Sequence, residues 1–139
     1  MGRDVVLQSV SRLIIPLILL FALYVQFHGD FGPGGGFQAG VIFASAFILH
    51  SLVFGYRPAR RVAPSRLVHA LMAFGALLFG GVGVAGMLLG GNFLDYDVLA
   101  TDPIAGQHLG ILLVELGVGI TVWGVMVTIF FAFVRRIRP

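Results

Sequence analysis

The sequence predicts an all-α membrane protein with four transmembrane helices and with both termini in the cytoplasm. Its residues are 58% hydrophobic and 11% charged, with a mean hydropathy of +1.00, whereas a soluble domain has about a quarter of its residues charged. Four apolar stretches reach the roughly 20 residues that cross a hydrocarbon core about 30 Å thick. Every basic residue is an arginine, and the arginines lie near the two termini and in the second of the three connections between these stretches.

The four predicted spans follow one another with short connections, so we expect a single domain over residues 1–139. The spans cover about 10–27, 36–55, 67–90 and 104–134. Pro16 lies near the start of the first span, where a mild kink is tolerated. The last span exceeds the minimum length and is predicted to tilt or to begin in the interface. No small-residue cleavage site follows the first span, so we expect it to serve as its own insertion signal.

Arginine placement predicts the orientation. The arginines lie in three groups, at the N-terminus (Arg3, Arg12), in the second connection (Arg57, Arg60, Arg61, Arg66) and at the C-terminus (Arg135, Arg136, Arg138). The first and third connections carry only acidic charges (Asp30, Asp95, Asp97, Asp102). With four spans all arginines fall on one side, which the positive-inside rule makes cytoplasmic. Such clustering at span ends also argues against a nucleic-acid-binding surface.

The composition disfavours an enzyme. The chain has no cysteine, which excludes disulfides, thiolate metal sites and cysteine catalysis. We find no nucleophile–base pair, metal-ligand cluster or cofactor motif, so no cofactor and no metal are expected. An independent transporter is also disfavoured, because the bundle has one acidic residue inside a span and no inverted repeat.

Small residues recur at helical spacing and predict close helix contacts. They lie on the second span (Gly36, Gly40, Ala44), the third (Gly83, Gly86, Gly90) and the fourth (Gly110, Gly117, Gly124). Packing within the chain is the favoured interpretation, and docking against other membrane subunits stays open.

The first connection, from His28 to Gly40, is the most unusual segment of the sequence. It contains three glycines after Pro33 and leads into the second span. Glycines permit backbone conformations that other residues avoid, and the free N–H groups of a helix start favour an anion or carboxylate. The segment lacks the Lys-Ser/Thr end of a phosphate-binding P-loop. Composition alone indicates a tight loop.

The run Pro33-Gly34-Gly35-Gly36-Phe37, followed by Gly40 and an apolar helix, resembles the hallmark of the B subunit of Mrp-type (Mnh) multisubunit cation/proton antiporters. In the last span, Glu115-Leu116-Gly117-Val118 resembles the acidic-x-Gly-Val pattern of this MnhB-like family. Many members have Asp where this chain has Glu115. The length and four-span layout extend the resemblance over nearly the whole chain.

The resemblance implies a small subunit of a large assembly that exchanges cytoplasmic Na⁺, Li⁺ or K⁺ for external protons. It implies location in a bacterial or archaeal cytoplasmic membrane. The expected partners are the other antiporter subunits, the lipid bilayer, monovalent cations and protons, without nucleic acid. Two alternatives stay open: a homologous subunit of a membrane-bound hydrogenase or related respiratory complex, and a purely structural assembly subunit.

Glu115 is the strongest candidate for a proton or cation path, because it is the acidic residue inside a span. A carboxylate in hydrocarbon is costly, so we expect Glu115 to be protonated, paired or beside a hydrated cavity. A protonated carboxyl that bonds a neighbouring helix is the structural alternative. His108, seven residues earlier, and His50, toward the cytoplasmic end of the second span, are further path candidates. An interhelical hydrogen bond explains His50 equally well. Trp123 is interpreted as packing.

Overall fold

The computed structural model describes residues 4–28, 34–99 and 101–137, and in these ranges the chain is built of helices and turns. The helices are α1 (Val5–His28), α2 (Gly36–Phe54), α3 (Tyr56–Val62), α4 (Ser65–Leu88) and α5 (Pro103–Ile137), with a 3-10 helix at Tyr96–Leu99. Within the described ranges, α1, α2, α4 and α5 are long and apolar enough to cross a membrane. The predicted fold class, a four-span helical membrane protein, is confirmed. The cytoplasmic position of the termini stays a prediction.

The spans begin and end close to the predicted limits, and aspartates account for two starts. The carboxylate of Asp4 accepts a 3.0 Å hydrogen bond from the Val6 N–H, so α1 starts five residues before its predicted limit. Asp102 caps α5 in the same way, through the Ile104 N–H at 3.1 Å. An oxygen acceptor at such a position satisfies a backbone donor that the first helical turn leaves unpaired. At the other end of α4, Gly90 adopts φ 95° beyond Leu88, the left-handed conformation that favours glycine after a helix.

A short helix, α3, was not predicted and closes the end of the bundle where the arginines lie. Gly55, at φ 102°, turns the chain from α2 into α3. Ala59 and Ala63 are buried against the core that includes Phe131 of α5. The guanidinium of Arg60 stacks 4.2 Å above the Phe131 ring. This basic connection is therefore folded, and we call its end of the bundle the arginine-rich end.

Helix α5 is the central helix, with α2 on one side and α4 on another. On the α4 side, Gly75 and Gly117 face each other. A Cβ placed on Gly75 would lie 2.6 Å from the Gly117 carbonyl oxygen, and one placed on Gly117 would lie 2.7 Å from that of Gly75. On the α2 side, Gly40 comes equally close to the carbonyl of Gly119. Because these glycines lack Cβ atoms, the helix backbones approach closely, as small residues allow in membrane proteins.

The described part of the third connection before α5, residues 89–99, covers the opposite end of the bundle. The ring of Phe93 covers Gly83 of α4, and the ring of Tyr96 covers Gly110 of α5. Further along α5, Gly124 lies against Met72 of α4. The spaced glycines of α5 therefore all face other parts of the same chain.

Two glycines of α4 provide a matched test of the α4–α5 contact. We expect Gly75→Ala to lower the free energy of unfolding by about 1–3 kcal/mol, because the added methyl group overpacks the contact with Gly117. Gly80→Ala on the same helix meets no atom within 4 Å, and should stabilise by about 0.5–1 kcal/mol through helix propensity. Thermal unfolding of the purified full chain in mild detergent measures both. Equal effects of the two substitutions would contradict the packing explanation.

Candidate functional site

The carboxylate of Glu115 lies at the start of α2, beside the glycines of the first connection. A Cβ placed on Gly35 would lie 3.2 Å from Glu115 Oε1 and 3.2 Å from Gln38 Oε1. Gly35 has φ 147°, in the region that favours glycine. Any side chain here would both strain the backbone and displace the carboxylate. The glycine therefore makes room for the acidic group.

Gly36 brings the two helix backbones together at the same level. A Cβ on Gly36 would collide with the backbone carbonyl oxygen of Glu115. One turn further along, Gly40 lies against Gly119 in the same manner. Pro33, which begins the sequence motif, and the preceding Gly29 and Asp30 lie outside the described residues. Phe37 is 62% exposed and does not take part in this contact.

The start of α2 offers a favourable electrostatic environment for the Glu115 carboxylate. The N-cap residue is Gly35, which has no side chain of its own to cap the helix. The first-turn N–H groups of a helix have no intrahelical acceptors, and the helix dipole places about half a positive charge there. An anionic group beside such a terminus is stabilised without a basic side chain. Glu115 is half-buried and lies at this position.

Gln26 of α1, which was not predicted as a site residue, completes a junction of three helices. Its side chain is 6% exposed, and its Oε1 lies 2.7 Å from where a Cβ of Gly119 would be. Its Nε2 is buried without a hydrogen-bond partner in the described part of the chain. A buried donor without a partner costs about 1–3 kcal/mol. The available signal was that Gln26 is the one carboxamide inside the first apolar stretch.

A cavity of about 220 Å³ lies beside this junction, between α1, α2 and α5. Its walls are almost wholly apolar, with Gln26 at one side and Trp123 at another. The Trp123 ring packs edge-on against Phe43 and Phe47, at centroid distances of 6.2 and 5.3 Å. Its Nε1 is buried and, among the described residues, finds no acceptor. Glu115, Gly119 and Trp123 follow at four-residue spacing, which aligns them on one face of α5.

The histidines lie apart from each other. His108 is exposed, seven residues before Glu115 and therefore about 10 Å from it along α5. His50 is 14 residues beyond Gly36, about 21 Å toward the arginine-rich end. Its ring packs on Phe54 at 5.0 Å. The structure thus brings Glu115 together with Gly35, Gly36 and Gln38, and it separates His50 from them.

Comparison with known proteins finds a matching family model and several relatives that cover most of the chain. A family model described as a domain related to the MnhB subunit of Na⁺/H⁺ antiporters matches residues 6–128. The chain is 41% identical over 130 residues to antiporter subunit mnhB2 of Staphylococcus aureus strain Newman, covering 91% of this chain and 92% of the relative. The relatives of the same name in strains JH1 and Mu3 match equally well.

The unpartnered carboxamide of Gln26 leads to a stability prediction. We expect Gln26→Met to raise the free energy of unfolding by about 1 kcal/mol, because it keeps the side-chain length and removes a buried unsatisfied donor. Gln38→Met serves as the control, since Gln38 is exposed and its replacement should change stability by less than about 0.5 kcal/mol. Thermal unfolding of the detergent-solubilised chain measures both. A lower melting temperature for Gln26→Met would show that the carboxamide is satisfied in the membrane protein.

Proposed function

Because the chain belongs to the family of domains related to the MnhB subunit of Na⁺/H⁺ antiporters, we propose that Glu115 gives it a direct part in ion exchange. Family membership makes the chain a multi-pass membrane subunit of a multisubunit Na⁺/H⁺ antiporter in the cell membrane. Other subunits of that assembly are therefore its partners. The proposal assigns to this subunit a carboxylate that takes up and releases a proton, or the exchanged cation, inside the membrane.

The observation that carries this proposal is the position of the Glu115 carboxylate beside the start of α2. A charged carboxylate surrounded by hydrocarbon is energetically costly. The positive end of the α2 dipole offsets part of that cost. A group for which both protonation states are accessible is what a proton relay requires. The contact with Gly35 and Gly36 thus supports a chemical role for the family motif.

A path through the subunit follows from the neighbours of Glu115. On the side of the aspartate-bearing connection, exposed His108 lies about 10 Å away along α5 and links Glu115 to the surface. On the other side, Gln26 lies against Gly119, one turn beyond Glu115, beside the apolar cavity that extends toward Trp123. His50 remains a candidate for the arginine-rich end of the path. It is too far from Glu115 for direct proton transfer, so intervening groups would have to connect the two residues.

The surface of the bundle supports assembly with lipid and with other membrane subunits. In the apolar window of α1, 11% of the residues are buried inside the chain. Large apolar side chains such as Leu17, Leu20 and Phe21 are more than half exposed. An apolar surface of this extent requires hydrocarbon or other apolar helices around it. We propose that this chain acts as a transporter component and not as an enzyme, with α1 on the outside of its own bundle.

Replacement of the carboxyl group tests the ion-path proposal. We expect Glu115→Gln, in the complete antiporter, to reduce Na⁺/H⁺ exchange in everted membrane vesicles at least tenfold, because the amide cannot take up or release a proton. Glu115→Asp, which retains an acid on a shorter side chain, should retain part of the activity. Asp102→Asn is the control, since Asp102 caps α5 at the surface. Copurification of the other subunits shows whether assembly is intact.

The outcomes of that experiment separate the candidate functions. Loss of exchange with an intact complex supports a role in the path. Full exchange by Glu115→Gln overturns it. Loss of exchange together with loss of the other subunits favours a purely structural subunit whose glycine contacts hold larger subunits in place. Copurification of redox subunits would favour a related respiratory complex.

Phe37 provides a separate test of assembly. We expect Phe37→Ser to weaken copurification of other subunits several-fold, because this ring follows the glycine motif and is 62% exposed on a protein with apolar partners. Phe37→Leu preserves the apolar character and should assemble normally. The melting temperature of the isolated chain should change little, since an exposed side chain contributes little to its own fold. Normal copurification by Phe37→Ser would contradict a contact at this position.

A further inference from the structure

We propose that a cleft at the arginine-rich end, between α1 and the α2–α3 junction, binds the phosphate group of an anionic phospholipid. The cleft has a volume of about 430 Å³. It is lined by residues of both helical segments: Arg12, Ile15, Pro16, His50, Phe54 and Pro58. This site is separate from Glu115, about 21 Å from the start of α2, and the inference does not depend on the ion path.

Arg12 and His50 both line this cleft, and both contact the ring of Phe54. The guanidinium of Arg12 lies 5.5 Å from the centre of the Phe54 ring, and the imidazole of His50 lies 5.0 Å from the same ring. A guanidinium over an aromatic face is favourably placed and loses less freedom when it binds an anion. Phe54 thus positions two potential hydrogen-bond donors at one cleft.

The charge of the cleft favours an anion. A guanidinium can bind phosphate through two parallel hydrogen bonds, and the N–H of an imidazole can donate a third. The carboxylate nearest in sequence is Asp4, two turns earlier on α1, and its Oδ1 is engaged in capping the helix at the Val6 N–H. Arg57 and Arg61, both exposed on α3, add positive charge at the same end. By sequence, the other acidic residues lie within α5 or in the connections at the opposite end.

The walls and the depth of the cleft fit a phospholipid better than a free phosphate ion. Ile15, Pro16, Phe54 and Pro58 provide an apolar lining around the two polar side chains. Arg12 lies about 10 Å along α1 from its start, and His50 lies about 6 Å before the end of α2. Those depths correspond to the boundary between headgroups and hydrocarbon. The volume exceeds that of ten water molecules at about 30 Å³ each, so a phosphate and its glycerol fit.

Native mass spectrometry of the assembled antiporter tests the site. The complex is washed free of loosely held lipid in detergent and titrated with phosphatidylglycerol, with phosphatidylcholine as the neutral probe. We expect Arg12→Gln to weaken the binding of one phosphatidylglycerol per complex about tenfold, the effect of one lost charge-assisted contact. Arg61→Gln is the matched control, because it removes the same charge at the same end from outside the cleft. Because Arg61 acts only through the general charge of this end, Arg61→Gln should weaken that binding step far less than Arg12→Gln does.

Several results would overturn the proposal. Equal weakening by Arg12→Gln and Arg61→Gln would mean diffuse charge attraction, and equal binding of phosphatidylcholine would mean apolar packing alone. Unchanged phosphatidylglycerol binding with loss of a neighbouring subunit from Arg12→Gln would mean that a partner's acidic side chain occupies the cleft. If Arg12→Gln does not assemble, Arg12→Lys replaces it, with Arg61→Lys as control. Lysine keeps the charge without the planar fork, so about threefold weakening is expected.

Discussion

The close approach of α2 to α5 is the constraint on which the rest of the structure depends. It is possible because Gly36 and Gly40 present no side chain to the carbonyls of Glu115 and Gly119. Lipid provides no hydrophobic force to bring helices together, so backbone proximity and the dispersion contacts it allows must supply the stabilisation. On another face of α5, Gly117 and Gly75 of α4 likewise lack side chains and allow the two backbones to approach closely. Helix α5 is thereby held on two sides by close backbone contacts, and further along the α2 side its Trp123 ring packs against Phe43 and Phe47.

The same contact determines the surroundings of the one acidic side chain in a span. Where α2 begins, its unpaired N–H groups and the carboxylate of Glu115 occupy a common level. Gln26 reaches this level from α1. A glycine replacement here would therefore alter packing and electrostatics together. Helix packing and the environment of the Glu115 carboxylate are thus coupled at this junction, while on the α4 side a glycine replacement acts on packing without touching the carboxylate.

Much of this architecture was predictable from the sequence, for physical reasons that also explain the omissions. Hydropathy identifies the four spans because each is long and apolar throughout, and a single acid in such a span marks Glu115. The glycine motif indicated the family correctly. Helix α3 was missed because it owes its order to the packing of Ala59 and Ala63 on α5, which local sequence does not reveal. Gln26 was missed because a single carboxamide in the first span does not reveal which helices its side chain faces. The position of Glu115 beside Gly35 could not be predicted from the sequence, because it depends on how α5 packs against the start of α2.

Helix α5 is unbroken for 35 residues from Pro103 to Ile137, about 50 Å at 1.5 Å per residue. It touches the Tyr96 ring near one end, the α2 start at Glu115, and the Arg60–Phe131 stack near the other. These three contacts are spread along most of the length of α5. Because α5 is one continuous helix, a shift or rotation of the whole helix at one of these contacts would also displace it at the other two. The surface cap, the half-buried carboxylate of Glu115 and the arginine-rich end are therefore connected through one continuous helix.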